Sequence, residues 1–197
     1  MPQDQRERED AWFRERDREL VEKLKRDAQR RAERERLAET TGLEPDHDVL
    51  DDLQHLGFGE STVKLIHLVP LVQVAWADGS VSSEERALLT QAARAHGVEE
   101  GSEADQTLAG WLEVRPDEAF FGRALGIVRV LLGARSEQEQ KHGHESLVAL
   151  CEELAAVSGG LFGFGKVSAA ELRVIDRVAA ELASHDEATA RKVIDAV

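Results

Sequence analysis

Apolar positions along this chain recur at intervals of three and four residues. Val63/Ile66/His67/Pro70, Leu88/Leu89/Ala92 and Phe120/Phe121/Ala124/Ile127/Val128/Leu131 each mark one face of a helix. Leu147/Leu150/Cys151/Leu154 and Leu172/Ile175/Val178/Ala179/Leu182 do the same further on. No segment alternates with period two, there is no Tyr, and β-branched clusters bounded by turn residues are missing. The pattern predicts an all-α bundle from Ser61 onward. A short helix over 46–56 precedes it, with Val49, Leu50, Leu53 and Leu56 on one face, and Gly57-Phe58-Gly59 turns the chain.

The first 40 residues follow a different rule. No Gly or Pro occurs between Gln3 and Thr41, so one helix is expected over roughly 6–39. Opposite charges recur at helical distances, as in Glu15/Glu19/Lys23, Glu22/Arg26 and Asp27/Arg31. Each such pair stabilises an isolated helix by about 0.2–0.5 kcal/mol. Apolar residues are few: Trp12, Phe13, Leu20, Val21, Leu24, Ala28, Ala32 and Leu37. Phe13, Leu20 and Leu24 form one narrow stripe that fades into alanine, too thin for a core helix and short for a full coiled coil. Two readings follow: a solvated helix docking loosely through Trp12 and Phe13, or an arm that binds a protein partner, a second copy of the chain included. Gly42 suits a left-handed helix cap and Pro45 stops the helix from continuing. The boundaries expected are a charged helical arm with its linker over 1–42 and a helical domain over 43–197.

Charge divides the chain at the same place. Residues 1–40 hold 12 basic and 12 acidic residues, so the formal net charge of −14 falls wholly on the remainder. An acidic body disfavours nucleic acid, where Lys and Arg must neutralise phosphates, and disfavours anionic membrane surfaces. One cysteine, Cys151, leaves no internal disulfide and no Cys-based zinc site. The longest apolar stretch, 65–77, is interrupted by His67, Pro70 and Gln73 and is too short to span a bilayer. The opening MPQDQRERED has no apolar run, so no secretory signal is expected. Together these predict an intracellular protein of a reducing compartment.

The chain repeats itself. DGSVSSEERALLTQAARAHG (78–97) and FGKVSAAELRVIDRVAAELA (164–183) share G-x-V-S-x-x-E followed by a periodic apolar helix. Gly79, Val81, Ser82 and Glu85 match Gly165, Val167, Ser168 and Glu171, 86 residues later. A helix rich in small apolar residues precedes each copy. Two similar helical halves, roughly 43–112 and 113–197, related by an approximate twofold, are therefore expected. Ser-x-x-Glu before an apolar run is a capping box: the Ser hydroxyl accepts from the amide three residues on, and the Glu carboxylate reaches back to the Ser amide. Ser82 with Glu85, and Ser168 with Glu171, are thus structural caps, with Val81 and Val167 where a hydrophobic staple would sit.

The same residues admit a chemical reading. Asp78, Glu84 and Glu85, with Glu171 from the second copy, are candidate ligands for a divalent cation shared between the halves. An EF-hand is excluded, because its earlier ligand positions fall on Val74 and Trp76. The second copy offers less, with Phe164 where the first has Asp78.

The segment VPLVQVAWADGSVSSEERALLTQAARAHGV (69–98) resembles the TerB family of tellurite-resistance proteins. The resemblance rests on the order helix, A-D-G-x-V-S-x-x-E, helix. It extends over roughly 46–197, more loosely in the second half. It implies an all-α domain built by helical duplication, without a catalytic role. It also implies a place in stress-response assemblies at the inner face of bacterial membranes, and metal ligation by Asp78 and Glu85. A related co-chaperone role is not implied, since His-Pro-Asp is missing. Two features depart from the family pattern: the charged arm and the loop SGGLFGFGK (158–166).

That loop approaches a phosphate-binding sequence at Gly160-x-x-x-x-Gly165-Lys166. Val167 stands where Ser or Thr would hold magnesium, and a helix rather than a strand precedes it. Leu161, Phe162 and Phe164 are better read as an apolar tip, either folded onto the core or presented to a protein partner. His142-Gly143-His144 is a weak metal signal, His67 suits a core edge, and Cys151 falls on a buried face as a small hydrophobe. No nucleophile or acid–base arrangement has motif support. The function expected is a non-enzymatic interaction or scaffolding module, the alternative a divalent-cation sensor.

Overall fold

A computed structural model describes residues 2–44, 47–158 and 167–183. Among these residues the chain is all-helical, with no strand. In order come α1 (Pro2–Thr41), α2 (Val49–His55), a 3-10 segment (Val63–Leu68), α3 (Val69–Ala75), α4 (Ser83–Ala95), α5 (Glu103–Glu113), α6 (Glu118–Gly133), α7 (Glu137–Ser158) and α8 (Ala169–Ala183).

The centre of the body is α3, buried at every position from Val69 to Ala75. A helix buried all round has no solvent face to offer, so it is enclosed by others. It packs against α6, α7 and α8, and α7 in turn packs against α4, α6 and α8. The two helices that precede the repeated motif, α3 and α7, therefore lie against each other. The helices that follow it, α4 and α8, pack on this pair. Buried residues from both expected halves, from Val49 through Leu89 and Phe121 to Ile175 and Leu182, form one continuous core. The halves share a core rather than owning one each.

One element departs from the expected helical pattern, and one lies where no pattern is singled out. Residues Val63–Leu68 wind as a 3-10 helix before α3 begins with Pro70 in its first turn. Proline has no N–H and clashes with the carbonyl four residues earlier, so an α-helix cannot run through it undisturbed. The second is α5, whose Ala104, Leu108 and Leu112 are buried at four-residue spacing. Ser102 Oγ caps it by accepting from the Asp105 amide.

The arm is one helix, as expected, but the boundary at 42 does not separate it from the body. Leu37 is 0% exposed, and Ala38 and Leu43 are buried with it in the common core. The last turns of α1 pack on α2 and on the 3-10 segment. Polar contacts add to this. Arg34 pairs with Asp51, the Gln54 amide donates to the Arg30 carbonyl, and the Glu60 N–H donates to Glu33 Oε1 at 2.9 Å. Gly42, at φ 74°, ends the helix, its N–H donating to the Ala38 carbonyl at 2.8 Å. Only the part of α1 before about residue 30 is an arm in the structural sense.

Candidate functional site

Both capping boxes form. The Ser82 N–H and Oγ–H each donate to Glu85 Oε2 at 2.8 Å, and the Glu85 N–H donates to Ser82 Oγ at 3.2 Å. In the second copy the Ser168 N–H donates to Glu171 Oε2 at 2.6 Å and the Glu171 N–H to Ser168 Oγ at 3.1 Å. Gly79 adopts φ 100°, a left-handed turn that a side chain would strain. Val81 and Val167 pack on the core, and the position a staple would pair with each is the fourth helical residue. That residue is Arg86 in one copy, its guanidinium donating to the Leu112 carbonyl at 2.7 Å, and the half-exposed Leu172 in the other.

Glu85 and Glu171 are both buried. Burial raises the Glu85 pKa above the ordinary carboxylate range, the Ser82 hydrogen bonds oppose this, and the Asp78 and Glu171 carboxylates add to it. The repeat thus brings its two capping carboxylates close enough to feel each other. It does not assemble a cation site. Asp78 Oδ1 accepts from the Ser80 N–H at 3.1 Å, Glu84 accepts from the Ser83 hydroxyl, and Glu85 Oε2 is taken by the cap. Among the described residues no three His, Cys, Asp or Glu side chains form a group that would hold a metal ion. The ligand set implied by the resemblance does not fit this arrangement.

The remaining polar candidates resolve as structure. His67 is partly buried and stacks on His96 with ring centroids 6.5 Å apart. Desolvation, then Arg135 and His96, lower its pKa from 6.5 to about 4, so it is neutral. Cys151 is buried, and desolvation pushes its thiol up to about 12, far from thiolate chemistry. His142 and His144 lie within α7 rather than at its start, and positions two apart on a helix do not share a face. Gly143 between them is a packing site: a Cβ there would meet Leu132 Cδ2 at 2.8 Å, so α6 and α7 approach closely at this point. The phosphate-loop sequence and the tip residues Leu161, Phe162 and Phe164 lie outside the described residues.

What the body leaves open is the arm. Leu20 is 54% exposed and Leu24 60%, and Val21 is exposed beside them. Trp12 is also exposed, its ring under the Arg16 guanidinium at 5.7 Å from the centroid. The expected docking of the arm through Trp12 is therefore not seen; docking runs through Leu37 and Ala38 instead. The Phe13 side chain lies outside the described residues. Ion pairs one helical turn apart line the arm: Glu15 with Arg18 at 3.3 Å, Glu22 with Arg26 at 3.8 Å, Asp27 with Arg30 at 2.7 Å and Glu33 with Arg36 at 2.9 Å. Asp27 pairs at a spacing of three rather than with the expected Arg31. A shallow groove follows the exposed side of the helix, lined by Leu24, Asp27, Ala28, Arg31, Ala32 and Glu35.

Sequence reasoning missed an aromatic cluster that ties α5 and α6 to the turn after α2. Phe58 meets Trp111 at 5.8 Å and Phe120 at 6.2 Å, and Trp111 meets Phe120 at 5.3 Å. The Trp76 indole N–H donates to the Trp111 carbonyl at 2.8 Å. These residues are too far apart in sequence for any periodicity to connect them. No helix among the described residues is long and apolar enough to cross a membrane. No family model, curated protein or solved structure matches the chain.

Proposed function

We propose that this protein is a non-enzymatic interaction module: a TerB-like helical body that holds out a charged helical arm for association with protein partners in a stress-related assembly. The observation that carries the reading is the split character of α1. Its last turns are anchored in the core through Leu37, while Leu20 and Leu24 stand exposed on a helix kept in shape by its own ion pairs. Holding apolar side chains in water gives the monomer nothing; covering them in a complex recovers roughly 25 cal/mol per Å². The body contributes stability and position. Its buried carboxylates Glu85 and Glu171 serve caps, and its one thiol is inert.

The test replaces Leu20 and Leu24 by Glu in the full chain and compares cross-linked partners in cells with those of the unaltered chain. Deleting residues 1–40 would be a poor variant, because it removes Leu37 from the core. Partners held by the unaltered chain and lost by the variant support the reading, provided both unfold at the same denaturant midpoint. Equal retention by both removes the arm from the function. The divalent-cation alternative has no donor set among the described residues to stand on. Melting with millimolar calcium or magnesium is expected to match melting in EDTA. A rise of about 2.7 kcal/mol at a hundredfold excess over Kd, lost in Asp78→Ala, would reinstate it.

A further inference from the structure

The exposed stripe of α1 has a register of its own. Asp17, Leu20, Leu24, Ala28, Arg31 and Glu35 are spaced three, four, four, three and four residues apart, which keeps them in a nearly straight line along an α-helix. The line is separate from the docked face. Glu33, Arg34 and Leu37 turn toward the body, more than about 100° round the helix from the stripe on average, and Ala38, five turns beyond Leu20, marks where the body meets the line. Arg31 and Glu35 remain exposed even beside the docked turns. The body therefore leaves this side of α1 open from Asp17 to Glu35.

The order of residues in the stripe selects one kind of occupant. Read from Leu24 outward as far as seven residues in both directions it is complementary to itself: Leu20 on one side answers Ala28 on the other, and Asp17 answers Arg31, while Glu35 comes opposite position 13. From this we infer that α1 pairs with α1 of a second copy of the chain, antiparallel, with the twofold axis at Leu24. This rests on the reading of the arm as an interaction element and names its partner. In that register Leu24 meets Leu24 of the second copy. Each Leu20 packs over the small Ala28 opposite, and each Asp17 faces an Arg31. Lys23 comes beside the second copy's Asp27. Large side chains against small ones and opposite charges across the seam are what a specific helix pair needs.

A parallel pair fails on both counts. Asp17 would face Asp17, Arg31 would face Arg31 and Glu35 would face Glu35, and like charges across a seam are a device against pairing. It would also bring two bodies, each carrying the full net charge of −14, to the same end of the pair. The antiparallel register sets them at opposite ends. With the docked turns centred about 12 residues from the axis and a rise of about 1.5 Å per residue, the bodies sit about 36 Å apart along it. A parallel pair would place them side by side at one end, so the antiparallel register lessens their mutual repulsion.

Sedimentation of the full chain tests the pairing. The mass is expected to rise from 21.8 kDa toward twice that value with concentration in the micromolar to millimolar range. Leu24→Glu is expected to abolish the rise. Asp17→Arg and Arg31→Asp are each expected to weaken association tenfold or more, and the double exchange to restore it. Orientation is read from disulfides: a mixture of Leu20→Cys and Ala28→Cys chains should cross-link as the mixed dimer in preference to either homodimer, since the native Cys151 is buried. A chain that stays monomeric throughout the range, or homodimeric cross-links in place of the mixed one, overturns the inference. If the chain is monomeric but arm-dependent partners persist in cells, self-pairing alone falls; if both are lost, the arm reading falls with it.

Discussion

Two stretches of one helix, residues 12–28 and 33–41 of α1, are both more than half charged and have opposite fates. In the second, Leu37 and Ala38 are sealed into the core and Arg34 is held by Asp51. In the first, Leu20 and Leu24 are exposed and the ion pairs run within the helix itself. Helical shape is thus maintained by two different means. The docked end rests on burial, worth about 1.5–3 kcal/mol for a leucine. The outer stretch rests on local pairs worth about 0.2–0.5 kcal/mol each. The difference teaches that charge content does not tell a structural helix from a presenting one; the position of a single buried leucine does.

The largest expected effect breaks the contrast directly. Leu37→Ala should cost about 2–5 kcal/mol of unfolding free energy by urea titration, as for other fully buried leucines. Leu24→Ala in dilute solution should stay within about 0.5 kcal/mol of the unaltered chain. Comparable losses would mean that the outer stretch is packed as firmly as the docked one.

Acid should act on the body through His67. His67 has a folded pKa of about 4 against 6.5 when unfolded, so between these values the unfolded chain binds the extra proton. The stability it contributes is complete above pH 6.5 and lost as pH falls toward 4, about 3 kcal/mol in all. Glu85 works in the opposite sense, since its raised pKa makes the folded chain the better proton acceptor. Denaturant midpoints across pH 7 to 4 should therefore fall less steeply in His67→Gln than in the unaltered chain. Equal slopes would remove His67 from the pH dependence.

Ser82→Ala and Ser168→Ala sharpen the comparison at the level of caps. Each should lower stability by about 0.5–2 kcal/mol, measured by thermal or urea unfolding. An unaltered midpoint in either would show that its box contributes nothing to the body. The smallest effect belongs to the arm. Glu22→Ala should reduce the circular-dichroism helix signal slightly, with a cost of about 0.2–0.5 kcal/mol confined to local helicity and no shift of the body's midpoint. A shifted midpoint would tie the outer arm to the core.

The parts of this fold that were legible in the sequence are those whose cause is local. Both capping boxes could be read from four residues, and α4, α6, α7 and α8 from their three-and-four spacing. The end of α1 at Gly42 was legible too, because a left-handed cap is a local demand. Contacts between distant segments were not. Nothing near Leu37 distinguishes it from Leu24 in sequence; only α2 and the 3-10 segment, brought back against it, bury one and leave the other. The Phe58–Trp111–Phe120 cluster and the Gly143–Leu132 approach are hidden for the same reason. The cation candidates show what adjacency in sequence leaves open. Asp78, Glu84 and Glu85 are neighbours in sequence, yet each carboxylate is turned to a hydrogen bond of its own.

The most direct test of the split helix is hydrogen exchange along α1, measured on the full chain at low and at high concentration. At low concentration, amides of residues 33–41 should be protected as strongly as those of α2, and amides of residues 12–28 should exchange orders of magnitude faster. At high concentration, protection should spread outward from Leu24 while the body is unchanged. Uniform protection along α1 at low concentration, or an outer stretch indifferent to concentration, would contradict the account.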